Sequence, residues 1–109
     1  MLRKQYALDM ALGNTITAPG FYAPQGREIR LTLKYPKMLE DLGKYRIKSS
    51  DFQLTNFEME TVGYYAMARL LGHEVLSVNA IIANRPQSKF TKDPNKVVDG
   101  LIKKILSRI

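Results

Sequence analysis

A chain of 109 residues has room for one small domain, and its 45% apolar and 25% charged residues are the ordinary balance of a globular chain. It has no cysteine and one histidine, His73, which excludes a disulfide framework, a thiolate metal site and a histidine-cluster metal site. The net charge of +7 permits an anionic partner, but the basic residues run from Arg3 to Arg108 in clusters of at most two, as on a solubilising surface, so no nucleic acid is expected.

The start, Met1-Leu2-Arg3-Lys4-Gln5, lacks the apolar core of a signal peptide, and no apolar run reaches the roughly 20 residues of a membrane span. A cytoplasmic protein without membrane contact is expected.

In chain order, Leu2, Tyr6 and Met10 recur every four residues and predict a helix over 2–12, stopped by Gly13-Asn14. Residues 15–18 are β-branched and predict a short strand, broken by Pro19-Gly20. A loop dense in aromatic and polar groups follows over 21–27. Alternation of Ile29, Leu31 and Leu33 with polar residues fits a half-buried strand or extended segment. Pro36 opens a short helix over 37–44, and residues 45–51 form a connection. Residues 52–59 predict a second strand, 61–71 a helix apolar nearly all round that ends at Gly72, and 75–83 a continuous apolar strand of the kind buried between helices. His73, beside that glycine, reads as an exposed turn residue. Asp93-Pro94 supplies an N-cap and an N1 proline for a helix over 95–109, whose stripe of Val97, Val98, Leu101, Ile102, Ile105, Leu106 and Ile109 opposes Lys96, Asp99, Lys103, Lys104 and Arg108.

This order predicts an α/β fold. A strand at 75–83 buried on both faces asks for more sheet than the chain offers, so the expectation is the C-terminal part of a larger α/β domain with a mixed sheet, or a small unit completed by oligomerisation.

Three loops follow predicted strands, where α/β sheets place ligands. Phe21 offers a flat face for a ring, the Gln25 amide can pair with a lactam edge, and Arg27 is a fixed fork of donors for carbonyl oxygens. That set suits a uracil-like base. In Asn56-Phe57-Glu58-Met59-Glu60-Thr61 a strand places Glu58 and Glu60 on one face, and a carboxylate accepts two hydroxyls of a sugar diol. Asn84-Arg85 ends the third strand. Read singly, Phe21 is also a core aromatic, Gln25 a surface amide, Arg27 and Arg85 solvated charges, Met59 a core gap-filler, and Glu58 with Glu60 a solvated acidic pair.

Phe21-Tyr22-Ala23-Pro24-Gln25-Gly26-Arg27, Asn56-Phe57-Glu58-Met59-Glu60 and Ile81-Ile82-Ala83-Asn84-Arg85, taken in order, resemble the nucleoside phosphorylase family with one α/β domain, in its uridine phosphorylase branch. The resemblance covers essentially the whole chain. The first motif is specific to the uridine-cleaving branch, and Glu-Met-Glu is shared with purine-cleaving relatives.

The resemblance implies the fold of that family's C-terminal part and phosphorolysis of uridine to uracil and ribose 1-phosphate, with phosphate as co-substrate and no cofactor or metal. It implies that Phe21, Gln25, Arg27 and Arg85 bind the base, with Gln25 and Arg27 catalytic as charge develops on it, and that Glu58, Met59 and Glu60 bind the ribose. An aspartate near Asn84 protonates the leaving base in purine-cleaving relatives; an amide there fits uracil leaving as a stabilised anion. Family members are longer, carry their phosphate-binding glycine loop and arginines in the N-terminal part, and form hexamers of dimers. The missing N-terminal half or neighbouring subunits are therefore expected partners, the chain is expected to homo-oligomerise, and alone it is expected to be inactive. A non-catalytic nucleoside-binding remnant and a basic nucleic-acid-binding module are the competing readings.

Overall fold

The computed structural model describes residues 2–48 and 50–109; Ser49, within the expected connection 45–51, lies outside them. Among the described residues are four α-helices and two small sheets, a small mixed α/β arrangement. The chain divides into a contiguous unit, Ala11–His73, and a second unit made of Met1–Met10 and Glu74–Ile109. None of the helices is long and apolar enough to cross a membrane among the described residues.

The contiguous unit is a β–α–β–α succession. Strands β1 (Asn14–Thr17) and β2 (Leu54–Glu58) pair in parallel, with Thr15, Ile16 and Thr17 opposite Asn56, Phe57 and Glu58. The register shifts after Asn14. There the Thr55 hydroxyl accepts the Asn14 N–H at 2.9 Å and donates to its carbonyl at 3.0 Å, supplying from a side chain what the interrupted ladder loses.

Between the strands runs helix α2 (Met38–Lys44), with Glu40 and Asp41 in its first turn and Lys44 in its last, the charge order the helix dipole favours. Helix α3 (Thr61–Leu71) follows β2 and stops at Gly72, whose φ of 72° gives the left-handed turn that closes it. His73 is exposed beyond that stop.

The second unit holds α1 (Leu2–Tyr6), the antiparallel pair β3 (Ala83–Asn84) and β4 (Lys89–Phe90), and α4 (Pro94–Leu106). The Asp93 side chain caps α4 by accepting the Lys96 N–H at 3.0 Å, as the Asp-Pro pair predicts.

Four expectations are corrected. The helix expected over 2–12 ends at Tyr6. Arg108 donates to the Tyr6 carbonyl at 2.7 Å, while Met10 N–H turns to Ala7 O at 3.1 Å instead of continuing the helix. Arg108 also grips both carboxylate oxygens of Asp9, at 2.7 and 2.9 Å, and Lys104 adds a contact at 2.7 Å. Arg108 first, then Lys104, hold the Asp9 carboxyl well below the usual carboxylate range.

The central strand expected over 75–83 forms no ladder before Ala83 among the described residues, and Ile81 and Ile82 are 60% and 44% exposed. An apolar strand is defined by neighbours on both edges, and among the described residues this run meets a partner only at its last residues, where Ile82 O accepts the Thr91 N–H at 2.9 Å and Ala83 pairs with Phe90. Residues 29–34 are likewise no strand; Ile29 and Leu31 stand exposed, because alternation alone supplies no partner. Helix α3, expected to be buried on most of its surface, exposes Val62, Tyr64, Met67, Leu70 and Leu71. A helix apolar on all sides needs a layer on each. Ala7 and Ala18 are the buried apolar residues among those described.

Candidate functional site

The parallel pairing of β1 and β2 puts their carboxyl ends side by side. Ala18 N–H donates to the Glu58 carbonyl at 2.8 Å, so the chain leaving β1 and the chain leaving β2 depart from one end of the sheet. Two of the three sequence motifs lie on these departures.

The first departure folds on itself. A 3-10 turn, Ala23–Gln25, is set by its proline and closed by Gly26 at φ 68°. Gln25 and Arg27 N–H both reach the Tyr22 carbonyl, at 3.0 and 2.9 Å. A Cβ on Gly26 would stand 2.9 Å from Leu39 Cγ, so this close approach seats the loop on α2.

Within the loop, Arg27 Nη1 donates to Gln25 Oε1 at 2.7 Å and to the Phe21 carbonyl at 2.6 Å. The guanidinium carbon lies 3.8 Å from the centroid of the Phe21 ring, a cation–π contact. Tyr22 meets the same ring edge-on at 5.4 Å between centroids. Phe21 is half exposed, Arg27 half buried and Gln25 only 6% exposed, so Gln25 is an interior amide and not the surface side chain that its loop position suggests.

The second departure holds Glu58, Met59 and Glu60. Glu58 ends β2, but Met59 and Glu60 already turn into α3, so the period-two placement of both carboxylates on one strand face does not apply. Glu58 Oε2 accepts the N–H groups of Glu60 at 2.7 Å and Thr61 at 2.5 Å, and Oε1 accepts from the Thr17 hydroxyl. The Thr17 oxygen in turn accepts the Val62 N–H at 3.1 Å. Desolvation pushes the Glu58 carboxyl up, but the donors from Thr17, Thr61 and Glu60 outweigh it and hold it at about 2. Met59 is 44% exposed, and Glu60 is exposed with its Oε2 accepting the Met59 N–H at 3.1 Å.

The sequence does not mark Thr17 as a site residue. Its only signal there is a hydroxyl at the end of a β-branched run; its partner appears once the register places it opposite Glu58.

Arg85 belongs to the second unit, where it starts a 3-10 turn, Arg85–Gln87, capped by Asn84 Oδ1 accepting the Gln87 N–H at 3.3 Å. The structure thus groups Phe21, Gln25 and Arg27 in one loop and Glu58, Met59 and Glu60 in the neighbouring one.

The Glu58 carboxylate carries a stability prediction. Its pKa falls from an ordinary value of 4.5 to about 2 on folding, so its contribution is fully present above about pH 4.5 and lost as pH drops through 2. Glu58→Gln should cost about 1–2 kcal/mol at neutral pH, as for a weakened charged hydrogen bond. Urea titrations at pH 7 and 2.5 should find that gap narrowing in acid; a gap equal at both would remove the carboxylate's charge from the account.

Comparison with protein-family models, curated proteins and solved structures finds no match.

Proposed function

We propose that this chain carries the nucleoside-recognition half of a uridine phosphorylase, the phosphate being held by another half or a neighbouring subunit. The observation that carries this reading is the pair of loops leaving the carboxyl ends of adjacent parallel strands, one bearing Phe21, Gln25 and Arg27 and the other Met59 and Glu60. Ligands sit at such ends in α/β sheets.

The remaining Arg27 donors meet the carbonyl oxygens of the uracil edge, with the buried Gln25 amide holding the guanidinium in place through Oε1. Glu60, exposed at the turn, accepts the ribose hydroxyls, and Met59 lies against the sugar. Glu58, committed to the chain's own donors, supports that turn. A phosphate oxygen bonds to the anomeric carbon as the bond from that carbon to the base nitrogen breaks, and the bonding electrons leave on uracil. Arg27 stabilises that anion, which then takes a proton from water. Its donors strengthen as charge develops, which is what lowers a barrier.

Glu60→Gln tests the sugar assignment. In an enzyme completed by the phosphate-binding half, it should lower kcat/KM for uridine about tenfold or more, as for lost charged hydrogen bonds, and lower it less for 2′-deoxyuridine. Equal losses for the two nucleosides would refute the diol assignment.

A further inference from the structure

The Thr17 hydroxyl stands where three elements meet. β1 ends on it, Glu58 at the end of β2 is its register partner, and α3 begins beside both. It donates to Glu58 Oε1 and accepts the Val62 N–H at 3.1 Å. An ordinary N-cap side chain sits immediately before its helix. Here the accepting carboxylate comes from Glu58, two residues before the N-cap Glu60. Its bonds to Glu60 and Thr61 N–H therefore close a small ring around Met59 and Glu60.

We infer that Thr17 and Glu58 form a positioning clamp, in which one carboxylate, braced by a hydroxyl from the neighbouring strand, fixes the turn that presents Met59 and the second carboxylate, Glu60. The clamp rests on this hydrogen-bond geometry; its bearing on a nucleoside's sugar rests on the proposed function. The two carboxylates divide the work. Glu58 is saturated by the chain, with Thr17 on Oε1 and two N–H groups on Oε2, while Glu60 stays exposed. Loss of the Thr17 hydroxyl removes a donor from Glu58 and the acceptor of Val62 N–H together, so the turn and the first turn of α3 loosen as one.

The test compares Thr17→Val, which keeps the shape, with Thr17→Ser, which keeps the hydroxyl, in the full chain by hydrogen exchange and mass spectrometry. Thr17→Val should speed exchange across residues 59–63 at least tenfold and leave 38–44 unchanged, while Thr17→Ser stays within twofold of the wild type. Unchanged exchange at 59–63 in Thr17→Val overturns the clamp. Should Thr17→Val speed exchange throughout by unfolding, Glu58→Gln decides: a rise confined to 59–63 upholds the clamp and no rise overturns it. Uridine is titrated against the same proteins by equilibrium dialysis. A several-fold weaker affinity in Thr17→Val, kept in Thr17→Ser, supports positioning of the sugar end, and equal affinity overturns it. A wild type that binds no uridine refutes the sugar reading alone, and the exchange result still decides the clamp.

Discussion

Uridine and phosphate incubated with the 109-residue chain alone are expected to yield no uracil above background. Holding the attacking group against the reacting carbon is worth roughly 7–11 kcal/mol in well-oriented systems, so a nucleoside site without a phosphate site loses most of the rate. Phosphate is commonly held by free N–H groups at a helix start, often in a glycine-rich turn. At the starts of α3 and α4, the chain's own side-chain oxygens take such groups, and α2 opens on negative charge. Glu58 and Thr17 take the N–H groups at the start of α3, Asp93 takes that of Lys96 in α4, and α2 opens with Glu40 and Asp41. Three of the seven glycines make close approaches within the chain: Gly13 to Thr55, Gly20 to Pro24, and Gly26 to Leu39. Mixing with a phosphate-binding half should restore phosphate-dependent uracil release. The assay is chromatographic detection of uracil with and without phosphate; phosphate-dependent release by the chain alone would defeat the expectation.

Arg27→Ala should have the next largest effect. In the completed enzyme it should reduce kcat/KM for uridine by about 30- to 1,000-fold, corresponding to roughly 2–4 kcal/mol of transition-state stabilisation. One residue does two things here. It donates to the Phe21 carbonyl and the Gln25 side chain while lying over the Phe21 ring, so its loss frees the loop as well as removing donors from the base. Arg27→Lys keeps the charge but not the fork, and should recover only part of the loss. Steady-state kinetics on the three proteins checks this, and an unchanged Arg27→Ala would remove the residue from the site.

Local chemistry was legible where it decides structure by itself. Asp93-Pro94 and Gly72 mark helix ends through capping and backbone freedom, and α3 and α4 lie within a few residues of their predicted places. The strands near 15–18 and 52–59 were legible because each has a partner in the same unit. Residues 75–82 and 29–34 were not, since an extended run becomes a strand only through a neighbour. Helix α1 was overrun by Arg108, a residue about a hundred positions away that no window includes. In the site, the aromatic, amide and guanidinium of 21–27 could be read as a group, but burial of Gln25 and the commitment of Glu58 to Thr17 depend on packing and register that residue types do not encode.

The division of the chain into a contiguous Ala11–His73 and a split second unit bears on the order of assembly. Thr17 and Glu58 are 41 residues apart, whereas Arg108 and Asp9 are separated by 99. Closing the longer span costs about 0.8 kcal/mol more in chain entropy. More consequential on a ribosome is timing. Both strands and both candidate loops of the contiguous unit are synthesised before α4 exists, so all the residues of the candidate site are available to pair first. The Asp9–Arg108 clasp must wait for Arg108, beyond the end of α4, so α1 is tied down only after every element between them has been made.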